Sequence, residues 1–181
     1  MKNLLVLTGF LLLFMLSSCN GAVSPLKTVE NRAVVVDTAQ LIKTIKTEYA
    51  AINNGSFTKK KADLSGLSAE GGELITYYKK LAVVKEHAIL YGEMGKVEID
   101  LYYHATGLFF VFKKETFYDQ PMYVKGSKVK SITENRYYFH KDGMIRWIGN
   151  DHQIVRPGSA VYKDEARRLV ELAAQIKAQR N

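Results

Sequence analysis

The fold is decided by the stretch KVEIDLYYHATGLFFVF, which runs from Lys96 to Phe112. Its first half alternates polar and apolar residues with a period of two, which is typical of a strand with one buried face. His104–Gly107 supplies a turn, after which Leu108, Phe110 and Phe112 resume the alternation. Two strands joined by so short a turn pair antiparallel. The apolar positions of the first strand are Val97, Ile99, Leu101 and Tyr103.

Similar signals extend outward from this hairpin in both directions. On the N-terminal side, Gly92–Gly95 separates it from an earlier β-rich run at 81–91. On the C-terminal side, Lys141–Gly143 contains an Asp-Gly pair between the runs 136–140 and 144–148, and such a pair favours a hairpin. Short connections pair strands that are neighbours in sequence. We therefore expect an antiparallel meander of about six strands.

A helix is predicted at each end of the meander. Asp37 followed by Gln40 resembles a capping box, and the apolar residues after it recur at spacings of three and four. Ser159, after Pro157 and Gly158, has the character of an N-cap for a second amphipathic helix. The predicted class is α+β, with the N-terminal and the C-terminal helix packed on one face of the sheet.

The N-terminus predicts export. Lys2 precedes an apolar run, Leu4–Leu16, that is shorter than the roughly 20 residues needed to span a bilayer. A charged start, a short apolar centre and small residues form a secretory signal. Leu16-Ser17-Ser18-Cys19 resembles the lipobox of bacterial lipoproteins. The resemblance implies that residues 1–18 are a cleaved signal peptide and that Cys19 receives acyl groups such as palmitate.

The remaining chain divides into a tether and one domain. Residues 19–36 predict an acylated cysteine with a flexible tether, whose root-mean-square reach is about 25 Å, and residues 37–181 a single α+β domain. Asn20 replaces the aspartate that, in enteric bacteria, signals retention in the inner membrane, so the outer membrane is favoured. The membrane partner is then engaged through the lipid anchor, with the domain in the periplasm or at the surface.

Several kinds of chemistry find no support in the sequence. Cys19 is the only cysteine, and none of the four histidines lies in a zincin-like motif. No nucleophile elbow and no phosphate-cradling glycine loop is present. We accordingly predict no catalytic residue, no metal ligand and no cofactor.

The charge is basic but scattered along the sequence. The chain carries a formal net charge of +8, and removal of Lys2 with the leader leaves +7. An exported protein rarely meets nucleic acid, so we expect no nucleic-acid partner. Lys59–Lys61 is interpreted as a solvated strand or loop face, with lipid headgroups or anionic glycans as the alternative contact.

Aromatic residues concentrate in the predicted strands, often as adjacent pairs. Neighbours in a strand point to opposite faces, so helices on one face would leave a row of tyrosines and arginines exposed on the other. Tyrosine, tryptophan and arginine are enriched in interfaces, although tyrosine also packs across strands without any function. The loop 119–127, which contains Pro121 and Gly126, is the best candidate for a functional loop. The candidate binding residues are Tyr102, Tyr123, Arg136, Tyr137, Arg146 and Trp147.

Residues 71–151 resemble a group of small bacterial lipoproteins without an assigned activity. The motifs that carry this resemblance are Tyr91–Lys96, Leu108–Phe112, Asn135–Phe139 and Ile145–Trp147. It implies export and a β-rich domain, and no catalytic residue. The leading hypothesis is a non-enzymatic binding or inhibitor module for an envelope protein or glycan. The alternatives are a periplasmic carrier of a small apolar ligand and a hydrolase using Glu98, Asp100 or Glu115.

Overall fold

The computed structural model describes residues 37–141 and 143–180. The predicted signal peptide at 1–18, the lipidation site Cys19 and the tether at 19–36 lie outside the described residues. The elements, in chain order, are α1 Thr38–Asn53, β1 Thr58–Leu64, β2 Gly72–Lys79, β3 Ala82–Gly92, β4 Gly95–His104, β5 Gly107–Tyr118, β6 Val129–His140, β7 Gly143–Ile148 and α2 Ala160–Ala178.

The strands form one antiparallel sheet in which each strand pairs with its neighbours in sequence. This confirms the α+β class and the meander. The sheet has seven strands rather than about six. Lysine-rich β1 is an edge strand whose first four residues are all exposed, so it lacks the apolar alternation that marks a half-buried strand.

Both helices begin at the predicted caps. The Asp37 carboxylate accepts a hydrogen bond from the backbone N–H of Ala39 at 2.9 Å. The Ser159 hydroxyl accepts one from Tyr162 N–H at 3.3 Å. Each cap satisfies a backbone donor that would otherwise be unpaired in the first turn.

The two helices lie on opposite faces of the sheet, so the prediction of one shared face is wrong. Leu101, Val111 and Tyr137 are partners in adjacent strands and belong to the core cluster that includes the α2 residues Leu169 and Ile176. We call this side the α2 face.

The next residue along each strand points the other way. Tyr102, Phe110 and Tyr138 form the adjacent row, and they pack with Ile42 and Ile45 of α1. This side is the α1 face. The sequence pattern in β4 and β5 is apolar or aromatic on both faces, and each face can therefore bury a helix.

The turn between β3 and β4 yields a prediction about glycine. A Cβ placed on Gly95 would lie 2.2 Å from the backbone oxygen of Thr116, whereas one on Gly92 would lie 3.6 Å from its nearest neighbour. Gly95→Ala is therefore expected to lower the free energy of unfolding by about 1 to 2 kcal/mol, because β4 and β5 must separate. Gly92→Ala is the matched control. Urea denaturation of both variants tests this, and equal stabilities would contradict the close approach.

Candidate functional site

The two tyrosines predicted to be exposed are buried. Tyr102 is fully buried beneath α1, where its hydroxyl donates to Asn53 Oδ1 at 3.0 Å. Tyr137 is equally buried beneath α2 and donates to Glu165 Oε1 at 2.8 Å. Burial raises the pKa of both phenols. The expectation of an open aromatic sheet face is wrong, because each face carries its own helix.

Trp147 and Tyr123 lie apart from each other and from the α1 face. Trp147 packs on Tyr137 with ring centroids 5.4 Å apart, and its indole N–H donates to Asn135 Oδ1 at 2.9 Å. Tyr123, in the loop after β5, is 79% exposed and donates to Glu93 Oε1 at 3.3 Å. Neither of these predicted residues joins a common site.

The two predicted arginines do come together, on the α1 face beside Tyr138. Arg146 is the cross-strand partner of Tyr138, and Arg136 lies two residues before Tyr138 on β6. Burial raises the pKa of Tyr138, and the positive charges of both arginines act in the opposite direction. Both guanidinium groups are thus close enough to influence this phenol.

Arg136 borders a cleft of about 360 Å³ between α1 and the sheet. This volume falls within the roughly 300–1,000 Å³ that small-molecule sites occupy. The helix contributes side chains four residues apart, and the sheet contributes two cross-strand rows. We call it the α1 cleft; its lining residues are Ile45, Lys46, Tyr49, Phe110, Phe112, Arg136, Tyr138, Ile148 and His152.

The guanidinium of Arg136 is positioned from two sides. It lies over the ring of Phe112, 5.1 Å from the centroid, and its Nη2 donates to Glu134 Oε2 at 3.0 Å. Its other terminal nitrogen, Nη1, is buried and has no hydrogen-bond partner among residues 37–141 and 143–180. A buried donor without an acceptor is unfavourable by about 1–3 kcal/mol, and more for a charged group.

The charges at the α1 cleft favour an anion. Lys46 and Arg136 are cationic, and although the Glu134 carboxylate offsets the charge of the guanidinium, it occupies only the Nη2 donor and leaves Lys46 without an acidic partner in the cleft lining. Arginine presents donors in a planar fork that matches carboxylate and phosphate oxygens. The aromatic and aliphatic lining would accept an apolar body behind that anionic group.

Sequence reasoning identified Arg136 but missed the rest of the α1 cleft. Tyr49 follows the helical spacing of apolar residues in α1, and Phe112 follows the alternation of β5, so each pattern indicates only a core position. His152 follows β7 in a turn and carried no signal. These residues meet because α1 crosses the sheet at one end, and the crossing position is not encoded in a local pattern.

A second polar group on the α1 face is centred on Asp100. Its carboxylate contacts His87 Nδ1 at 2.7 Å and Lys85 Nζ at 3.1 Å. Burial favours the neutral acid, but the hydrogen bond from His87 and the charge of Lys85 outweigh it, so the pKa of Asp100 is below its usual value. These two contacts hold the Asp100 side chain against the neighbouring strand β3.

This lowered pKa predicts a pH-dependent contribution to stability. The contribution is present above the unfolded-state pKa of about 3.8 and is lost as the pH falls through the lower folded-state pKa. Asp100→Asn should lower the free energy of unfolding by about 1.5 kcal/mol at pH 7, and this effect should shrink as the pH falls through the folded-state pKa of Asp100. Denaturant titrations at pH 7 and at successively lower pH measure the difference. Asp63→Asn, at an exposed position of β1, should show neither effect.

The carboxylates suggested for a hydrolase do not form a pair. Glu98 forms ion pairs with Lys96 and Lys114 on the α1 face. Glu115 is the cross-strand partner of Val97, which belongs to the α2 face. With Asp100 held by His87 and Lys85, the three acids do not face a common cleft.

Two further observations concern only residues 37–141 and 143–180. No helix there is both long and apolar enough to cross a bilayer. No three histidine, cysteine, aspartate or glutamate side chains there come together in a way that could hold a metal ion. Comparisons with protein-family models, curated proteins and solved structures found nothing that matches this chain.

Proposed function

We propose that this protein is a lipid-anchored, non-enzymatic component of the bacterial envelope that binds a small amphipathic anion in the α1 cleft. The anchor is proposed from the lipobox-like Leu16–Cys19 and the apolar run before it. Asn20 favours the outer membrane. The resemblance of residues 71–151 to small bacterial lipoproteins is consistent with export.

One observation carries the proposed ligand class. Arg136 lines the α1 cleft, and its Nη1 is a buried, charged donor without an acceptor among the described residues. Because Nη1 is shielded from solvent, a carboxylate or phosphate oxygen would satisfy this donor once the guanidinium turns toward the ligand. An apolar body of the same ligand would lie against Phe110 and Ile148.

The structure changes the balance between the earlier hypotheses. A protein or glycan partner on an open aromatic face loses its premise, because Tyr102 and Tyr137 are buried under separate helices. The carrier hypothesis called for a sheet curled around the end helices with an apolar pocket, and the partly apolar α1 cleft supports only the idea of a small-molecule site. The proposed ligand differs from a purely apolar one in carrying an anionic group.

The proposal is tested by purifying the protein from its native envelope in mild detergent and analysing the released small molecules by mass spectrometry. Ile148→Trp places a larger side chain in the α1 cleft, and Ile154→Trp, at an exposed position outside it, is the matched control. We expect an amphipathic anion with the wild type and with the control, and little with Ile148→Trp. The same yield from all three proteins would refute a ligand in this cleft.

The anchor is tested in the same preparation by the mass of the N-terminal peptide. The proposal expects a mature chain that begins at Cys19 and carries acyl groups. An unmodified Cys19, or a chain that retains residues 1–18, would refute the anchor and leave the proposal for the cleft standing.

A further inference from the structure

The fold collects the scattered lysines at one end of the sheet. The β2–β3, β4–β5 and β6–β7 turns all lie at this end, and α1 crosses it. We call it the basic end. Seven lysines there are exposed: Lys43, Lys46, Lys59, Lys60, Lys79, Lys80 and Lys141.

Few acids oppose these lysines. Among the described residues at the basic end, Asp37 caps α1 and Glu48 pairs with His104 Nε2 at 2.9 Å. Asp142 belongs to the β6–β7 turn by sequence and is not among the described residues. The opposite end of the sheet carries both acidic and basic side chains. The acids are Glu70, Glu93 and Asp119, and they lie close in sequence or space to Lys125 and Lys128.

An exposed apolar side chain lies among the lysines of β1 and the β2–β3 turn. Leu81, in the β2–β3 turn, is 96% exposed and follows Lys79 and Lys80 directly. Lys59 and Lys60, on the neighbouring strand, lie over the rings of Tyr77 and Tyr78. An exposed leucine among lysines suits the boundary between lipid headgroups and acyl chains.

The N-terminal segment joins the domain at the same end. α1 begins at Thr38, and its first turns border His104, His140 and Lys141 in the β4–β5 and β6–β7 turns. The tether predicted for residues 19–36 would have a root-mean-square reach of about 25 Å. An anchor at Cys19 would therefore hold the basic end, rather than the opposite end, next to the bilayer.

We propose that the basic end docks on an anionic membrane surface, with Leu81 entering the headgroup region and the surrounding lysines contacting anionic lipids. The proposal rests on the proposed anchor only for the position of the tether. Lysines near an anionic leaflet are attracted over about a Debye length, roughly 8 Å at physiological salt. Docking would fix the orientation of the domain and leave the α1 face at a set angle to the bilayer.

The experiment places a tryptophan reporter at each end of the full-length, acylated protein. Leu81→Trp reports on the basic end, and Val129→Trp, at a 52% exposed position, reports on the opposite end. Both proteins are reconstituted into vesicles of phosphatidylcholine, with or without phosphatidylglycerol, that contain brominated lipid. The native Trp147 also fluoresces, so its quenching is measured in the unsubstituted protein and subtracted.

We expect the Leu81→Trp signal in phosphatidylglycerol vesicles to be quenched at least about twofold more than the Val129→Trp signal, with the difference decreasing at high salt. Lys43→Glu with Lys79→Glu should abolish the difference, whereas Lys125→Glu with Lys128→Glu at the opposite end should preserve it. Equal quenching of the two reporters, or stronger quenching at Val129→Trp, would overturn the proposal and leave the basic end for a protein or glycan.

Flotation separates this outcome from failure of the anchor. Wild-type protein that floats with neutral phosphatidylcholine vesicles is anchored, whatever the reporters show. Protein that does not float with neutral vesicles contradicts the anchor. Leu81→Trp quenching that nevertheless depends on phosphatidylglycerol would still support docking by the basic end.

Discussion

Arg180→Ala is expected to lower the free energy of unfolding by about 3 kcal/mol. The Arg180 guanidinium pairs with the carboxylate of Glu86, whose side chain is completely buried on the α2 face. Tyr103 donates a hydrogen bond to the second oxygen of that carboxylate at 2.7 Å. Removing the arginine would leave a buried negative charge with a single neutral donor. Urea denaturation at pH 7 measures the loss.

Two variants distinguish the ion pair from simple loss of contacts at the end of the chain. Glu86→Gln in the Arg180→Ala background should recover part of the stability, because the amide oxygen still accepts from Tyr103 and carries no charge. Lys177→Ala, in the last turn of α2 and exposed, is the matched control and should change stability by less than about 0.5 kcal/mol. A double variant no more stable than Arg180→Ala alone would contradict the assignment.

The second large effect concerns binding to the α1 cleft. With decanoate as the probe, Arg136→Leu is expected to raise the Kd about 30-fold, since removing one partner of a buried charge contact weakens binding by about 2 kcal/mol or more. Decanol has the same apolar body without the charge, so its affinity should not depend on Arg136. Isothermal titration calorimetry of both probes against both proteins gives the comparison.

Arg146→Leu is the control for this prediction. Arg146 is also on the α1 face beside Tyr138, but it does not line the α1 cleft. It should change the Kd for decanoate less than about threefold, which is a long-range electrostatic effect. If both substitutions weakened decanoate binding equally, the positive charge of the α1 face as a whole, and not a contact at Arg136 Nη1, would account for the affinity.

The sheet could be predicted because its signals are local. The alternation in β4, the glycine turn before it and the Asp-Gly pair before β7 each determine a strand or a turn within a few residues. The two caps, Asp37 and Ser159, are likewise local. The antiparallel order of the strands followed from these local signals, whereas β5 and β6 extend beyond the predicted runs, to Tyr118 and from Val129.

Local signals do not predict which face of the sheet each helix covers. Tyr102 and Leu101 are adjacent and both are apolar enough to be buried, so the pattern does not say which face a helix covers. The face of the sheet that α1 contacts depends on the path of the chain between Asn53 and Thr58. The position of α1 buried Tyr102 and created the α1 cleft beside Arg136, whereas Tyr137 is buried because it lies on the opposite face, beneath α2.

Long-range placement also explains the lysines. Lys43, Lys59, Lys79 and Lys141 are far apart in sequence and were interpreted as scattered charge. The meander returns to the same end at every second turn, and lysines near those turns therefore lie along one end of the sheet. Charge that looks uniform along the sequence is concentrated in space.

The most direct test of the α1 cleft is a crystal structure with 10-bromodecanoate, whose bromine can be located by anomalous scattering. We expect a carboxylate oxygen about 2.7–3.2 Å from Arg136 Nη1 and the bromine between α1 and the pair Phe110 and Ile148. A bromine peak outside the α1 cleft, or a cleft that stays empty at saturating probe, would contradict it.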